Sequence, residues 1–360
     1  MSRDPFCGYT FLDAVVAGDW LAARASIQSA TAKEGGLQSF VARHGLSCYL
    51  RWRLGAEGFT ELPGWLRLQL WAFQAQDDEL RDRLMVQLAH VYASCDDTRL
   101  LLMKGPALAQ RLYGTLAARR FVDLDLMAAP GAFEALRQQL LAAGYTEQTQ
   151  ALYPRGWLRR FIHAHTLVRD GLELDLHIAL RVRPAYRLDH DALWQRRLRV
   201  ALPGDLEVCV PCDEDSLLIL ILSVVHDLEL GKLRAKTLVD LHTACEHWES
   251  TEDWESFFTH RRPERLEGLA VNALLMLQLV LPSVPRPRLA KALAARTELA
   301  EISSREQALE LLLAAPYSTA NRSWFMDCYP GSRLGYLAWL ALGQPAKQNL
   351  AFALGQTFSR

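Results

Sequence analysis

Two aspartates alternate with leucines in the run Phe121-Val122-Asp123-Leu124-Asp125-Leu126-Met127. In a strand, residues i and i+2 share one face about 7 Å apart along the chain. Asp123 and Asp125 therefore point one way, and Leu124 and Leu126 point into a core. Neighbouring carboxylates repel each other and resist desolvation. A hard cation such as Mg²⁺, shared with a phosphate, relieves both costs. A second alternating run, Leu172-Glu173-Leu174-Asp175-Leu176-His177-Ile178, has Glu173, Asp175 and His177 on its polar face. If this strand lies beside the first, Asp123, Asp125 and Asp175 converge. That is the donor pattern of two-metal phosphoryl or nucleotidyl transfer.

The elements that must carry these groups are legible in the surrounding pattern. His165-Thr166-Leu167-Val168-Arg169 is followed by Asp170-Gly171 and then by the Asp175 run, the signature of a tight hairpin over 165–177. The apolar run at 98–104 reads as a strand ending in Lys104-Gly105, with Pro106 suited to the first turn of a helix over 106–113. A strand over 121–127 and a helix over 130–143, stopped by Gly144, complete the alternation. Residues 1–95 read as helical, with helices over 11–27, 36–54, 65–76 and 77–95; Leu80, Leu84, Leu88 and Val91 form an apolar stripe. Residues 211–360 return to helix, opening on Asp213-Glu214-Asp215, acidic residues suited to a helix N-terminus. The expected fold class is α+β: a small mixed-sheet core over 96–210 flanked by an N-terminal helical region, 1–95, and a C-terminal helical domain, 211–360.

Composition bounds the function. The chain has 360 residues, half of them apolar, and a formal net charge of −1. A near-neutral chain argues against nucleic acid as the partner, since dedicated binders carry a basic domain. The basic clusters Arg155/Arg159/Arg160 and Arg196/Arg197/Arg199 read as solvated faces. No basic-then-apolar leader opens the chain, no apolar run is long enough to span a bilayer, and the seven cysteines are odd in number. Together these features predict a cytoplasmic protein with reduced thiols. Cys209-Val210-Pro211-Cys212 would need two more zinc ligands, such as His242 and Cys245, and reads instead as packing at a strand end. His163 and His165 alternate on a strand with nothing that requires them to face a cleft.

In its motifs the chain resembles the polymerase-β-like nucleotidyltransferase superfamily, and within it the bacterial branch of uncharacterised nucleotidyltransferases. The resemblance rests on Lys104-Gly105 closing the first strand, the helix from Ala107 to Tyr113, Arg119 four residues before Asp123-x-Asp125, Asp175-x-His177 after a hairpin, and the later His226 and Asp240. It covers roughly residues 98–250. It implies that Asp123, Asp125 and Asp175 are catalytic and hold metal, with two Mg²⁺ ions. It implies too that Lys104, Gly105, Arg119 and Arg120 bind the nucleotide, and that His177, His226 and Asp240 touch substrate or brace the site. The co-substrate it implies is an NTP, with ATP the first to expect. The acceptor is a small molecule or a peptide or protein. The wider superfamily has Gly-Ser or Gly-Gly after the first strand; here Lys104-Gly105-Pro106 stands there, and a Lys ammonium would replace the hydroxyl as a point charge on phosphate. A kinase or pyrophosphokinase would use the same carboxylates. A non-catalytic scaffold of the same fold would be expected to lack one, and all are present. The flanking helical regions are expected to shape the acceptor pocket.

Overall fold

A computed structural model describes residues 7–31, 34–95, 99–148, 164–180, 186–229, 233–251 and 253–313. Arg155, Arg159, Arg160, His163 and the end of the C-terminal region, 314–360, lie outside the described residues. In chain order the elements are α1 (Cys7–Ala17), α2 (Trp20–Thr31), α3 (Glu34–His44), α4 (Ser47–Thr60), α5 (Gly64–Ser94), β1 (Leu100–Leu102), α6 (Pro106–Tyr113), β2 (Asp123–Ala128), α7 (Phe133–Ala142) and β3 (Thr146–Glu147). They continue with β4 (Ala164–Arg169), β5 (Leu172–His177), α8 (His190–Gln195), β6 (Leu198–Leu202), β7 (Leu206–Val210), α9 (Asp213–Glu229), α10 (Ala235–Thr251), α11 (Trp254–Arg261), α12 (Glu267–Val280), α13 (Pro287–Ala294) and α14 (Arg305–Leu313). The fold is α+β, a small mixed sheet and a separate hairpin among many helices. The described residues fall into two compact units: a helical unit from 7–81, 108–121 and 216–313, and an α/β unit from 82–107 and 122–215.

In the α/β unit the sheet order is β1-β2-β5-β4-β3, with β6 and β7 as a hairpin of their own. β2 and β5 run parallel, and the other neighbours run antiparallel. The expected hairpin is present as β4 and β5. Asp170 and Gly171 both have positive φ, 52° and 74°, the two-residue turn whose twist matches the strands it joins. Leu124, Leu126, Leu167, Leu174 and Leu176 are fully buried on one face of the sheet. Phe133 of α7 lies 4.9 Å from the ring of His165, which shares that face, so α7 covers it. Leu84, Leu88 and Val91 of α5, the continuation of the apolar stripe, are also fully buried. The β6–β7 hairpin, joined through Pro203-Gly204-Asp205, packs β7 against β1. Its alternating apolar pattern around a Pro-Gly-Asp turn was readable and is absent from the expected element order.

In the helical unit several expected boundaries move. The helix expected over 11–27 is two, because Asp19 caps a new start by accepting the Ala22 N–H at 3.0 Å. The helix expected over 36–54 breaks at Gly45, whose φ of +62° no other residue type adopts readily; Leu46 N–H then closes back on the Val41 carbonyl at 3.1 Å. Conversely the helices expected over 65–76 and 77–95 are one continuous α5. Nothing between Trp65 and Ser94 breaks a helix, and Asp77 is a buried acceptor for the Ser47 hydroxyl at 2.8 Å rather than a cap.

The same unit holds a neutral histidine. His44 Nδ1 accepts the Ala235 N–H at 3.0 Å. Burial first, then Arg43 and Arg234, pull its pKa from 6.5 down to about 4. Between those values the unfolded chain takes up a proton that the folded one refuses, so stability falls as pH drops through that window and is complete above it. His44→Gln should flatten this slope, and thermal unfolding of both proteins from about pH 7 to about pH 4.5 checks it.

Candidate functional site

The register of β2 against β5 builds the site. Asp123 stands opposite Glu173, Asp125 opposite Asp175 and Met127 opposite His177. Paired residues of neighbouring strands share a face, so Asp123, Asp125, Glu173, Asp175 and His177 all project from the face opposite the leucines. Asp125, Asp175 and His177 each offer a ligand atom, and these atoms lie within 4.8 Å of one another. His177 Nε2 is 3.2 Å from Asp125 Oδ1. Thr166, opposite Asp175 on β4, donates its hydroxyl to Asp175 Oδ1 at 2.6 Å. The three donor residues are half-buried, open to a ligand yet screened enough for charge to matter. Asp123 is also half-buried. It sits one pleat before Asp125 on the same face and outside the group of three.

Two carboxylates and an imidazole suit a divalent cation with mixed oxygen and nitrogen donors. Among the described residues no other group of three or more His, Cys, Asp or Glu side chains is placed to hold a metal. The zinc possibility at Cys209 and Cys212 is therefore not assembled. Cys212 donates instead to Asp215 at 3.1 Å, and burial and then that carboxylate push its thiol up to about 11. His242 has both ring nitrogens engaged, by Arg286 and by Glu246.

Lys104 and Gly105 lie where β1 turns into α6. Met103 N–H still donates to the Asp125 carbonyl at 2.9 Å, so the chain leaves the ladder beside the carboxylate strand. Gly105 takes φ +62° and Pro106 opens α6 as the sequence pattern expects. Lys104 is half-buried and makes no ion pair among the described residues.

Arg119, Arg120, His226 and Asp240 belong to the helical unit. Arg119 Nε donates to Asp240 Oδ2 at 2.8 Å, in a pair buried to 9% and 3% side-chain exposure. The Tyr113 hydroxyl donates to Asp240 Oδ1 at 2.8 Å. Burial, and then the Asp240 carboxylate, raise the Tyr113 phenol well above its ordinary value, so it stays a donor. Asp240 thus ties α10 to α6 and to the segment after it. Arg120 pairs with the buried Asp77 at 2.9 Å, and its carbonyl accepts Lys236 Nζ at 3.1 Å. His226 is half-buried in the last turn of α9.

The remaining candidates are structural. His165 turns to the leucine side of the sheet and pairs with Glu147, which also takes Arg137 at 2.8 Å. Arg196 closes bidentately on Asp215 at 2.7 and 3.1 Å, and Arg197 stacks 4.8 Å over Trp194. Arg199 reaches Glu207 at 3.4 Å. An open cavity of about 360 Å³ lies between α5 and the β4–β5 turn, lined by Arg83, Val86, Gln87, His90, Arg169 and Leu172; the carboxylate group does not line it. Thr166 is the site residue that sequence reasoning missed. Its partner follows from the two-residue turn, which pairs Arg169 with Leu172 and, three pairs further on, Thr166 with Asp175.

A family model described as uncharacterised nucleotidyltransferase matches residues 32–282, and the chain belongs to that family. No curated protein matches the sequence. Among the described residues no helix is long and apolar enough to cross a membrane.

Removing Asp240 leaves the buried Arg119 guanidinium without this carboxylate, and such losses cost about 3–5 kcal/mol. Asp240→Ala should lower the urea midpoint accordingly. Adding Arg119→Leu to that variant should recover part of the loss, because the unpaired charge goes with it.

Proposed function

We propose that this nucleotidyltransferase-family chain is a magnesium-dependent, cytoplasmic enzyme that moves a nucleoside monophosphate from an NTP, ATP first, to a small-molecule or peptide or protein acceptor. The observation that carries the reading is the half-buried Asp125–Asp175–His177 group on the sheet face opposite the leucines. Asp125 and Asp175 would hold one cation between them. Asp123, one pleat away, would share a second with Asp125. Bound there, the cations would supply charge neutralisation at the phosphates and a template for in-line displacement. The chain's own part is positioning. Thr166 fixes one oxygen of Asp175, leaving the other for a ligand. Asp175 would also help activate the acceptor hydroxyl or amine through the cation it holds. Lys104, at the turn before α6, would place a point charge on phosphate, and the Gly105 backbone would permit close approach. Arg119 and Arg120, first expected on phosphate, are assigned here to bracing through Asp240 and Asp77.

A kinase or pyrophosphokinase remains the second reading, because it would use the same carboxylates. Incubation with each NTP, Mg²⁺ and a cell extract, followed by mass spectrometry, separates them: a nucleotide adduct with pyrophosphate supports nucleotidyl transfer, and a nucleoside diphosphate product supports the kinase. Asp125→Asn should abolish turnover without lowering the thermal midpoint of the metal-free chain, since an isosteric amide costs metal binding rather than packing and relieves the repulsion from Asp175. Lys104→Ala should raise the apparent KM for NTP by a factor that corresponds to about 2 kcal/mol, the worth of a charge-assisted contact. An unchanged KM with a lowered midpoint would instead make Lys104 a brace of the turn.

A further inference from the structure

We infer that His177 sets the cation preference of the Asp125–Asp175 site, shifting it from Mg²⁺ toward Mn²⁺. The inference rests on reading that site as a metal centre. Mg²⁺ demands near-ideal octahedral oxygen ligands and keeps much of its water. Imidazole nitrogen is a better donor to the first-row transition metals, and affinity rises along that series from Mn²⁺. An all-oxygen carboxylate set would leave selectivity to size alone. Here the third donor is nitrogen.

The geometry fits shared ligation. Two donors held about 2.1 Å from one octahedral cation at right angles stand about 3 Å apart. His177 Nε2 and Asp125 Oδ1 stand 3.2 Å apart. Thr166 occupies Asp175 Oδ1, so the remaining oxygen of Asp175 completes the set. The other ring nitrogen, His177 Nδ1, is buried and has no hydrogen-bond partner among the described residues. Ligating histidines usually have that second nitrogen held by a carbonyl or carboxylate, which fixes the tautomer. No such partner fixes the tautomer among the described residues, so the Nε2 lone pair faces a cation in the tautomer that carries its proton on Nδ1. The strand position also counts. Residue 177 stands beside Met127 on the neighbouring strand, and Met127 is buried and offers no oxygen. His177 is therefore the donor of that row.

Mn²⁺ and Mg²⁺ binding to the purified chain, measured by calorimetry and by competition, tests this without reference to turnover. Wild type should bind Mn²⁺ more tightly, and pulsed EPR of bound Mn²⁺ should show nitrogen modulation. His177→Ala should abolish the modulation and weaken Mn²⁺ by about tenfold or more, with Mg²⁺ weakened far less. His177→Asp, which restores a side-chain ligand of oxygen type, should favour Mg²⁺ relative to wild type and guards against a folding defect in the alanine variant. Bound Mn²⁺ without nitrogen modulation, or equal weakening of both cations by His177→Ala, overturns the role of His177 and leaves the carboxylate centre standing. Binding of neither cation by wild type, or Mn²⁺ binding unaffected by Asp125→Asn, overturns the centre itself and the inference with it.

Discussion

The α/β unit depends on two carboxylates being held abreast. Asp125 and Asp175 face each other across neighbouring parallel strands, about 5 Å apart by strand spacing. At an effective dielectric near 20, two unit charges at that separation repel by about 3 kcal/mol. The opposing term lies on the other face of the same strands. Leu124, Leu126, Leu174 and Leu176 are fully buried, and each such leucine contributes about 1.5–3 kcal/mol relative to exposure. Even discounted for a compact unfolded state, their sum exceeds the repulsion. A one-residue slip would exchange the faces, burying the carboxylates and exposing the leucines. The hydrophobic face therefore holds a register that the polar face would reject, and the strain it imposes is what a cation would relieve.

How each carboxylate is satisfied separates structure from chemistry. Asp240 is closed by Arg119 and Tyr113, and Asp215 by both arms of Arg196 with Cys212. Both aspartates are buried, and their charge is matched by a guanidinium. Among the described residues Asp175 takes the Thr166 hydroxyl, and Asp125 meets the His177 imidazole. Neither of these two partners is a guanidinium. Two half-buried carboxylates side by side suit a cation, whereas one locked to arginine already has its charge matched.

The sequence disclosed most of this arrangement where local rules decide it. Alternation placed Asp123 and Asp125 on one face and Asp175 and His177 on another run's polar face, Asp170-Gly171 announced the turn, and Pro106 marked the start of α6. These features depend on strand parity, turn chemistry and the fixed φ of proline, all set within a few residues. What was not legible required knowledge of contacts distant in the chain. The grouping of Asp125 with Asp175 and His177, without Asp123, depends on the β2–β5 stagger, which no local pattern encodes. The pairing of Arg119 with Asp240 spans 121 positions. An Arg four residues before an Asp-x-Asp reads as a phosphate contact, and nothing nearby in the chain announces its pairing with Asp240. The division of the 1–60 helices was misjudged for a simpler reason: Asp19 and Gly45 are ordinary stop and start signals that sat inside apolar stretches strong enough to mask them.

These arginine pairings bear on how the proposed site would bind an anion. Arg119 and Arg120 pair with aspartates within the helical unit, and under the proposed function a phosphate would meet the turn at Lys104-Gly105. A turn into a helix offers backbone N–H groups and the positive end of the peptide dipoles. Pro106, lacking an N–H, removes one of those donors from the first turn. An ammonium on a flexible stem at Lys104 is the natural replacement, because it can follow a phosphate that the shortened set of amides fixes less firmly. Its lack of an ion pair among the described residues is consistent with that task, since a lysine already matched to a carboxylate would have to break one charge-assisted contact to make another. Under the proposed function, the departure from a Gly-Ser turn would trade directional backbone donors for a mobile charge, and would leave more of the orienting of a triphosphate to the carboxylate row beside it.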